Sequence, residues 1–177
     1  MAERIILDAG HGGWDNGASY QGRNEKDDNL AMTLAVGDIL EGFGFQVFYT
    51  RTEDIYQRPF RKATIANEIG GDLFVSIHRN SSPVPNQYHG VETLVYSNQG
   101  LPKLVAENIN RQLEAVGYAN LGVEERPGLI VLNSTQMPAV LVEVGFINSD
   151  IDNTLFNQRF QETAMAIAEG IRESFRS

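Results

Sequence analysis

Short apolar runs alternate with longer amphipathic stretches along most of the chain, and this rhythm restricts the possible folds more than any other feature. Neighbouring parallel strands need long crossover connections, which are usually helices that cover both faces of the sheet. The alternation therefore predicts an α/β fold of three layers, α/β/α, around a mostly parallel sheet.

The strands and helices can be placed by the period of their apolar residues. The predicted strands are the short apolar runs at residues 4–8, 45–50, 72–78, 90–97, 129–132 and 139–145. The predicted helices have apolar positions at helical spacing and cover residues 26–43, 59–69, 101–116 and 156–175. No internal repeat, linker or low-complexity tract divides the sequence, so residues 1–177 are expected to form a single domain.

Potential catalytic residues follow or end several of the predicted strands. His11 follows the first strand, His78 ends the third and Glu143 lies near the end of the last. Ligands of open parallel sheets bind beyond the carboxyl ends of the strands. These three residues are therefore expected to meet at one edge of the sheet.

The two histidines suggest a metal site when they are considered together. His11 lies in the run AGHGG, whose glycines allow a sharp turn close to a ligand. Taken singly, His11 and His78 have ordinary structural explanations as a loop residue and a strand-end residue. Neutral imidazole is nevertheless a common zinc ligand, and hydrolytic zinc sites usually have three protein ligands and one open position. The chain has no cysteine, so the third ligand would be a carboxylate.

Three acidic residues at the start of the first predicted helix are candidates for that carboxylate: Glu25, Asp27 and Asp28. Acidic residues in a first turn also compensate the helix dipole, which gives all three an ordinary explanation. Their spacing alone does not select one of them.

Glu143 is unusual because it interrupts the apolar run of residues 140–145. A buried carboxylate is costly unless it is paired, bound to a metal or used for proton transfer. Burial also raises the pKa of a carboxyl group towards neutrality, where acid-base catalysis is efficient. Glu143 is therefore the candidate acid-base residue, with a structural ion pair as the alternative. His89 follows a proline-rich loop and is expected at the surface, not at the metal.

The composition excludes several classes of function. A net charge of -9, with scattered Lys and Arg, argues against a nucleic-acid partner. No run approaches the roughly 20 apolar residues of a membrane helix, and no signal-peptide core is present. We expect a soluble chain without a membrane span, and a monomer.

Four motifs, in order along nearly the whole chain, resemble the zinc-dependent N-acetylmuramoyl-L-alanine amidases of the type 3 family. They are LDAGHGG at residues 7–13, EKD with NLA at 25–31, VSIHRN at 75–80 and MPAVLVEVGFIN at 137–148. The resemblance implies one zinc ion per chain, bound by His11, Glu25 and His78, and assigns the catalytic role to Glu143. It thus selects Glu25 among the three acids.

The resemblance also implies a fold and a substrate. The expected sheet has about six strands, as in zinc exopeptidases and phosphorylase/hydrolase-like folds. The expected substrate is peptidoglycan, cut at the amide between N-acetylmuramic acid and L-alanine of the stem peptide. Such an enzyme acts at the cell envelope or after secretion, so a chain without a signal peptide suggests an excised domain or a phage-type endolysin.

Two features distinguish this sequence within the family. Position 79 is Arg where a small residue is common, so a bulky cation is expected to line the groove and alter which wall peptides fit. Some relatives carry an inserted helix that blocks the metal site, but residues 96–103 leave no room for one. An open groove is therefore expected.

Two other functions are compatible with these residues. A zinc exopeptidase on a similar sheet would trim stem peptides instead of detaching them. A wall-binding module with a dead site is disfavoured because all three ligands and the acid-base residue are present.

Overall fold

The computed structural model describes residues 1–176 and shows where strands and helices begin and end. The strands within these residues are β1 (Arg4–Ala9), β2 (Ser19–Tyr20), β3 (Arg23–Asn24), β4 (Gln46–Tyr49), β5 (Leu73–Asn80), β6 (Val91–Val95), β7 (Asn120–Glu125) and β8 (Ala139–Phe146). The helices are α1 (Glu25–Gly42), α2 (Pro59–Ile69), α3 (Gly100–Val116), α4 (Ile130–Asn133), α5 (Asp150–Gln158) and α6 (Phe160–Arg176).

Six of the strands form one sheet in the order β4-β1-β5-β8-β6-β7. Strands β4, β1, β5 and β8 are parallel, whereas β6 is antiparallel to β8 and parallel to β7. Strands β2 and β3 form a separate two-stranded ribbon. The predicted three-layer α/β/α fold with a mostly parallel sheet of six strands is confirmed.

A separate hydrophobic core lies on each face of the sheet, because successive side chains of a strand point to opposite faces. Ile5 and Leu7 pack in the larger core with residues of α1, α3 and α6. Ile6 packs in the smaller core with Ala66 of α2 and Leu132 of α4. Alternate residues of one strand therefore belong to different layers.

The same alternation decides which polar side chains share the α2 face. In β5, Val75 and Ile77 belong to the larger core and Phe74 to the smaller one, so His78 lies on the face of α2 and α4. In β8, Val142 belongs to the larger core, and Glu143 lies on the same face as His78.

Two predicted elements need correction, and one strand of the main sheet was not predicted. Residues 129–132, predicted as a strand, fall mainly in α4, where the amide of Asn133 donates to the carbonyl of Leu129. A four-residue apolar run is too short to reveal its period. Strand β7 was not predicted because it is a largely exposed edge strand with polar side chains. The helix predicted at 156–175 is two helices, interrupted at Arg159.

The link between β6 and α3 is short, as the sequence predicts. It comprises residues 96–99, and the chain enters α3 without an inserted helix. Across residues 1–176, none of the helices combines the length and the apolar character that crossing a membrane requires.

Candidate metal centre

Three side chains from separate parts of the fold meet at the carboxyl edge of the sheet. His11 lies in the loop after β1, Glu25 is the first residue of α1 and His78 lies near the end of β5. Nε2 of His11 is 3.2 Å from Oε2 of Glu25, and Nδ1 of His78 is 3.0 Å from Oε1 of Glu25. One donor atom from each residue can be chosen so that all three lie within 4.8 Å of one another.

The glycines of this region make room for the cluster. A Cβ atom on Gly10 would lie 2.3 Å from the imidazole of His78, so the backbone of the first loop rests directly on that ring. A Cβ on Gly17 would lie 2.5 Å from the carboxylate of Glu25. Gly17 also has a φ of 65°, a conformation that glycine adopts without strain. The glycine-rich loop is therefore required for the close approach of the three donors.

Asp15 orients the ring of His11. Its Oδ2 atom is 2.8 Å from Nδ1 of His11, and its other oxygen accepts a hydrogen bond from the amide of Gly17. A donor Nδ1–H in this position leaves Nε2 free to bind a cation. Sequence analysis missed Asp15, although an acid four residues after a histidine in a glycine-rich loop was a usable signal.

Glu25 is held in place by hydrogen bonds to both of its oxygens. The amide of Ala18 donates to Oε2, while the amide of Arg79 and the side chain of Asn29 donate to Oε1. Glu25 is only 4% exposed. Asp28, one of the other two candidate acids, is not part of the cluster and pairs with Arg79. The structure therefore places Glu25 beside the two histidines and orients its carboxylate before any ligand binds.

Charges and hydrogen bonds within the cluster shift the pKa values of His11 and Glu25. Burial disfavours the imidazolium form of His11, but hydrogen bonds and charges from Glu25 and Asp15 outweigh it and raise the pKa of His11 to about 9. Burial also opposes ionisation of Glu25, yet its bonds to His11 and His78 hold the pKa of this carboxyl well below its usual value. At neutral pH His11 is therefore protonated in the absence of a cation.

The donor set fits zinc. Donors at about 2.1 Å from a tetrahedral ion lie roughly 3.4 Å apart. Glu25 contacts the two imidazoles through different oxygens, at 3.0 and 3.2 Å, and one donor atom from each of the three residues lies within 4.8 Å of the others. The three donors would therefore draw closer together to bind one ion. Two imidazoles and one carboxylate match hydrolytic zinc sites, which keep a fourth position open.

Glu143 faces the same site from the neighbouring strand. It is the register partner of His78 in the parallel pair of β5 and β8. Its Oε2 atom is buried and has no hydrogen-bond partner within residues 1–176. Burial, with a smaller contribution from Glu25 and Glu92, outweighs the effect of the nearby histidines and raises the pKa of Glu143 to about 7.

A pocket of about 310 Å³ adjoins His11 and His78. Pro59 of α2 and residues 128–131 before and within α4 line it, together with Leu141 of β8. Most of this lining is apolar, so the pocket can remove part of a ligand from water beside the polar cluster.

A buried ion pair forms part of the pocket lining. Nζ of Lys62 donates to Oδ1 of Asp8 and to the carbonyl of Ala9, at 2.7 and 2.6 Å. Thr50 and Ser76 also donate to Asp8. Burial alone would raise the pKa of Asp8, but Lys62 and the two hydroxyls outweigh it and lower the pKa. This network anchors the backbone from which the loop of His11 begins.

The expectation that Arg79 lines the groove is wrong. Its side chain points to the face opposite His78, where it binds Asp28 and Asn153 and lies over the ring of Phe156. Arg79 is only 3% exposed. The reason is the alternation of strand side chains, which sends neighbours in β5 to opposite faces. His89 is exposed, as predicted, and is not part of the cluster.

Comparison with known proteins identifies the family. Residues 5–173 match the family described as N-acetylmuramoyl-L-alanine amidase. The chain is 35% identical over 180 residues to an endolysin of Bacillus phage SPP1, an alignment that covers 98% of the chain and 66% of the endolysin. It is 33% identical over 178 residues to the sporulation-specific N-acetylmuramoyl-L-alanine amidase of Bacillus subtilis, covering 97% of the chain and 68% of that relative.

The fold agrees with a solved member of the same group. The crystal structure of N-acetylmuramoyl-L-alanine amidase from Clostridium difficile 630 superposes with a TM-score of 0.92 at 29% identity, over 99% of this chain and 98% of that one. The chain spans about two thirds of the length of the phage and Bacillus relatives. On the family match and these similarities, the chain belongs to the N-acetylmuramoyl-L-alanine amidase family.

Proposed function

We propose that this chain hydrolyses the amide bond between N-acetylmuramic acid and L-alanine in bacterial peptidoglycan, with one zinc ion held by His11, Glu25 and His78. The observation that carries the proposal is the position of Glu143. A half-buried carboxylate with a pKa of about 7 faces a His-Glu-His cluster at the edge of an apolar pocket. Family membership supplies the substrate class.

The cation and the protein would have separate tasks. Zinc, when bound, supplies a Lewis acid that polarises the scissile carbonyl and lowers the pKa of water. Glu143 takes a proton from the attacking water and returns it to the nitrogen of the departing amine, which is too basic to leave unprotonated. A carboxyl pKa near neutrality suits a group that must both accept and donate the proton.

The remaining groups hold this arrangement in place. Asp15 keeps Nε2 of His11 directed at the cluster, and the backbone amides of Ala18 and Arg79 fix the Glu25 carboxylate. The apolar pocket wall excludes water from one side of the bound amide. We further propose that residues 1–177 act as one monomeric catalytic domain on the bacterial cell wall, at the envelope or outside the cell.

Digestion of purified peptidoglycan tests the function. An amidase releases peptides with a free amino-terminal alanine and leaves glycan without peptides, which mass spectrometry identifies. Chelation should abolish release, and zinc should restore it. His89→Ala is the matched control, because this exposed histidine lies outside the cluster and should not affect release. Release of single amino acids would indicate an exopeptidase, and binding without any release would indicate a wall-binding module.

A further inference from the structure

Trp14 is the only tryptophan of the chain, and it lies on the surface close to the candidate metal centre. Its side chain is 77% exposed, and its ring contacts that of Tyr56 with centroids 4.2 Å apart and an angle of 38°. Leaving an indole in water forfeits a large gain from burial. An exposed indole packed against a half-buried tyrosine beside a candidate catalytic site therefore suggests a surface that a ligand covers.

The turn that carries Trp14 is braced before any ligand binds. Gly12 and Asp15 exchange two backbone hydrogen bonds, so Trp14 lies at the tip of a closed turn. The amide of Gly13 donates to Asp54, and a Cβ on Gly12 would lie only 2.1 Å from the carbonyl of Ile55. A fixed aromatic surface loses little conformational entropy when it binds.

The aromatic pair does not line the pocket, but each of its two residues precedes one that does. Asp15, which follows Trp14, lines the pocket and holds His11. Gln57, which follows Tyr56, lines the same pocket. A ligand that extends out of the pocket on this side would therefore meet the two rings.

We infer that Trp14 and Tyr56 form a platform on which a sugar ring of the glycan strand stacks. This inference rests on the proposed function, because it names the part of the peptidoglycan that the surface contacts. One face of a pyranose ring presents several C–H groups, whose partial positive charge complements the negative face of an aromatic ring. The platform would hold the sugar so that its lactyl amide reaches the metal centre.

The local charges favour the glycan over the stem peptide at this position. Of the acids near the two rings in sequence, Asp15 is paired with His11 and Asp54 with Lys26, while the exposed Glu53 and Arg58 carry opposite charges. This surface therefore offers no excess of positive charge to the free carboxylates of a stem peptide. The N-acetylated sugars are uncharged when the lactyl group is in amide linkage, so they need no such charge.

The single tryptophan makes the platform directly observable. Zinc-loaded protein is titrated with the tetramer of N-acetylglucosamine while tryptophan emission is recorded. We expect a saturable change in emission, and about tenfold weaker binding in Tyr56→Ala. Tyr96→Ala is the matched control, because this exposed residue follows β6 at the opposite edge of the sheet and should leave the titration unchanged. No emission change at millimolar tetramer overturns the inference.

Kinetics on polymeric peptidoglycan give a second test. Trp14→Ala should raise KM about tenfold with kcat within about twofold and zinc content unchanged, and Trp14→Tyr should restore most of the loss. An unchanged KM overturns the inference, as does a dimer formed through Trp14 in sedimentation without sugar. Sugar binding that depends on Trp14 in a protein without amidase activity supports the platform and refutes the proposed function, so the two can fail separately.

Discussion

Nδ1 of His11 lies 2.8 Å from a carboxylate oxygen of Asp15, while Nε2 of the same ring lies 3.2 Å from Glu25. The imidazole is thus fixed from behind, with its second nitrogen directed into the cluster. Partners of this kind typically contribute 10- to 100-fold to metal affinity because they fix the tautomer and the ring orientation.

Replacing Asp15 should therefore weaken zinc binding without removing a ligand. Asp15→Ala is expected to lose about 10- to 100-fold in affinity, measured by competition with a chelator of known strength. Asp15→Asn should lose less, since its amide oxygen still accepts the hydrogen bond from Nδ1. Asp27→Asn, at an exposed acid on the first turn of α1, is the control. Wild-type affinity in Asp15→Ala would show that the ring needs no such support.

Zinc binding should release a proton at neutral pH. His11 has a pKa of about 9 in the metal-free protein, so it is protonated at pH 7 and must lose that proton before Nε2 binds a cation. Affinity should rise about tenfold per pH unit between pH 6 and pH 8 and level off above about 9. Calorimetric titrations in buffers with different ionisation enthalpies measure the number of protons released when zinc binds. Binding without proton release at pH 7 would show that His11 is not protonated in the metal-free protein.

Glu143 should be needed for turnover but not for the metal. Glu143→Gln preserves shape and removes the proton acceptor, so the rate of peptide release should fall by about 10²- to 10⁴-fold while zinc content stays at one per chain. His78→Ala should lose the zinc itself. Metal analysis together with the release rate separates the two effects. Near wild-type release by Glu143→Gln would exclude it as the acid-base residue.

Arg79 should matter for stability and not for substrate choice. Arg79→Ala removes a buried cation that pairs with Asp28, and we expect the free energy of unfolding to fall by about 3 kcal/mol in urea denaturation. Arg61→Ala, which breaks an exposed pair with Glu68, should change it by less than about 1 kcal/mol. Preference among walls of different stem-peptide composition should stay the same. A changed preference in Arg79→Ala would place the guanidinium in the groove after all.

The layered fold could be predicted from sequence because its evidence is local and repeated. Buried parallel strands are mostly apolar, as in residues 73–77, and the helices between them have a clear period. Elements that lack these signals were missed or misread. β7 is a polar edge strand that depends on pairing with β6, and α4 is a single turn whose apolar residues reveal no period.

The residues of the candidate site could likewise be predicted from sequence only in part. Strand ends predicted that His11, His78 and Glu143 would converge, since the carboxyl ends of parallel strands share an edge. The selection of Glu25 came from the family resemblance, because three acids in one helical turn are equivalent until the rotation of the helix is known. Asp15 was missed despite its spacing from His11, and Arg79 was placed in the groove although side chains alternate along β5 and His78 already faces the site.

The three donors belong to segments that are distant along the chain: the loop after β1, the start of α1 and the end of β5. In a chain without cysteine, an ion bound by all three acts as a removable cross-link between them. A ligand that binds only the folded state stabilises it by about 4 kcal/mol at a free concentration a thousand times its Kd. Molecules that lose the ion would therefore unfold more easily and be degraded sooner, so that inactive copies of a wall-cutting enzyme are removed selectively.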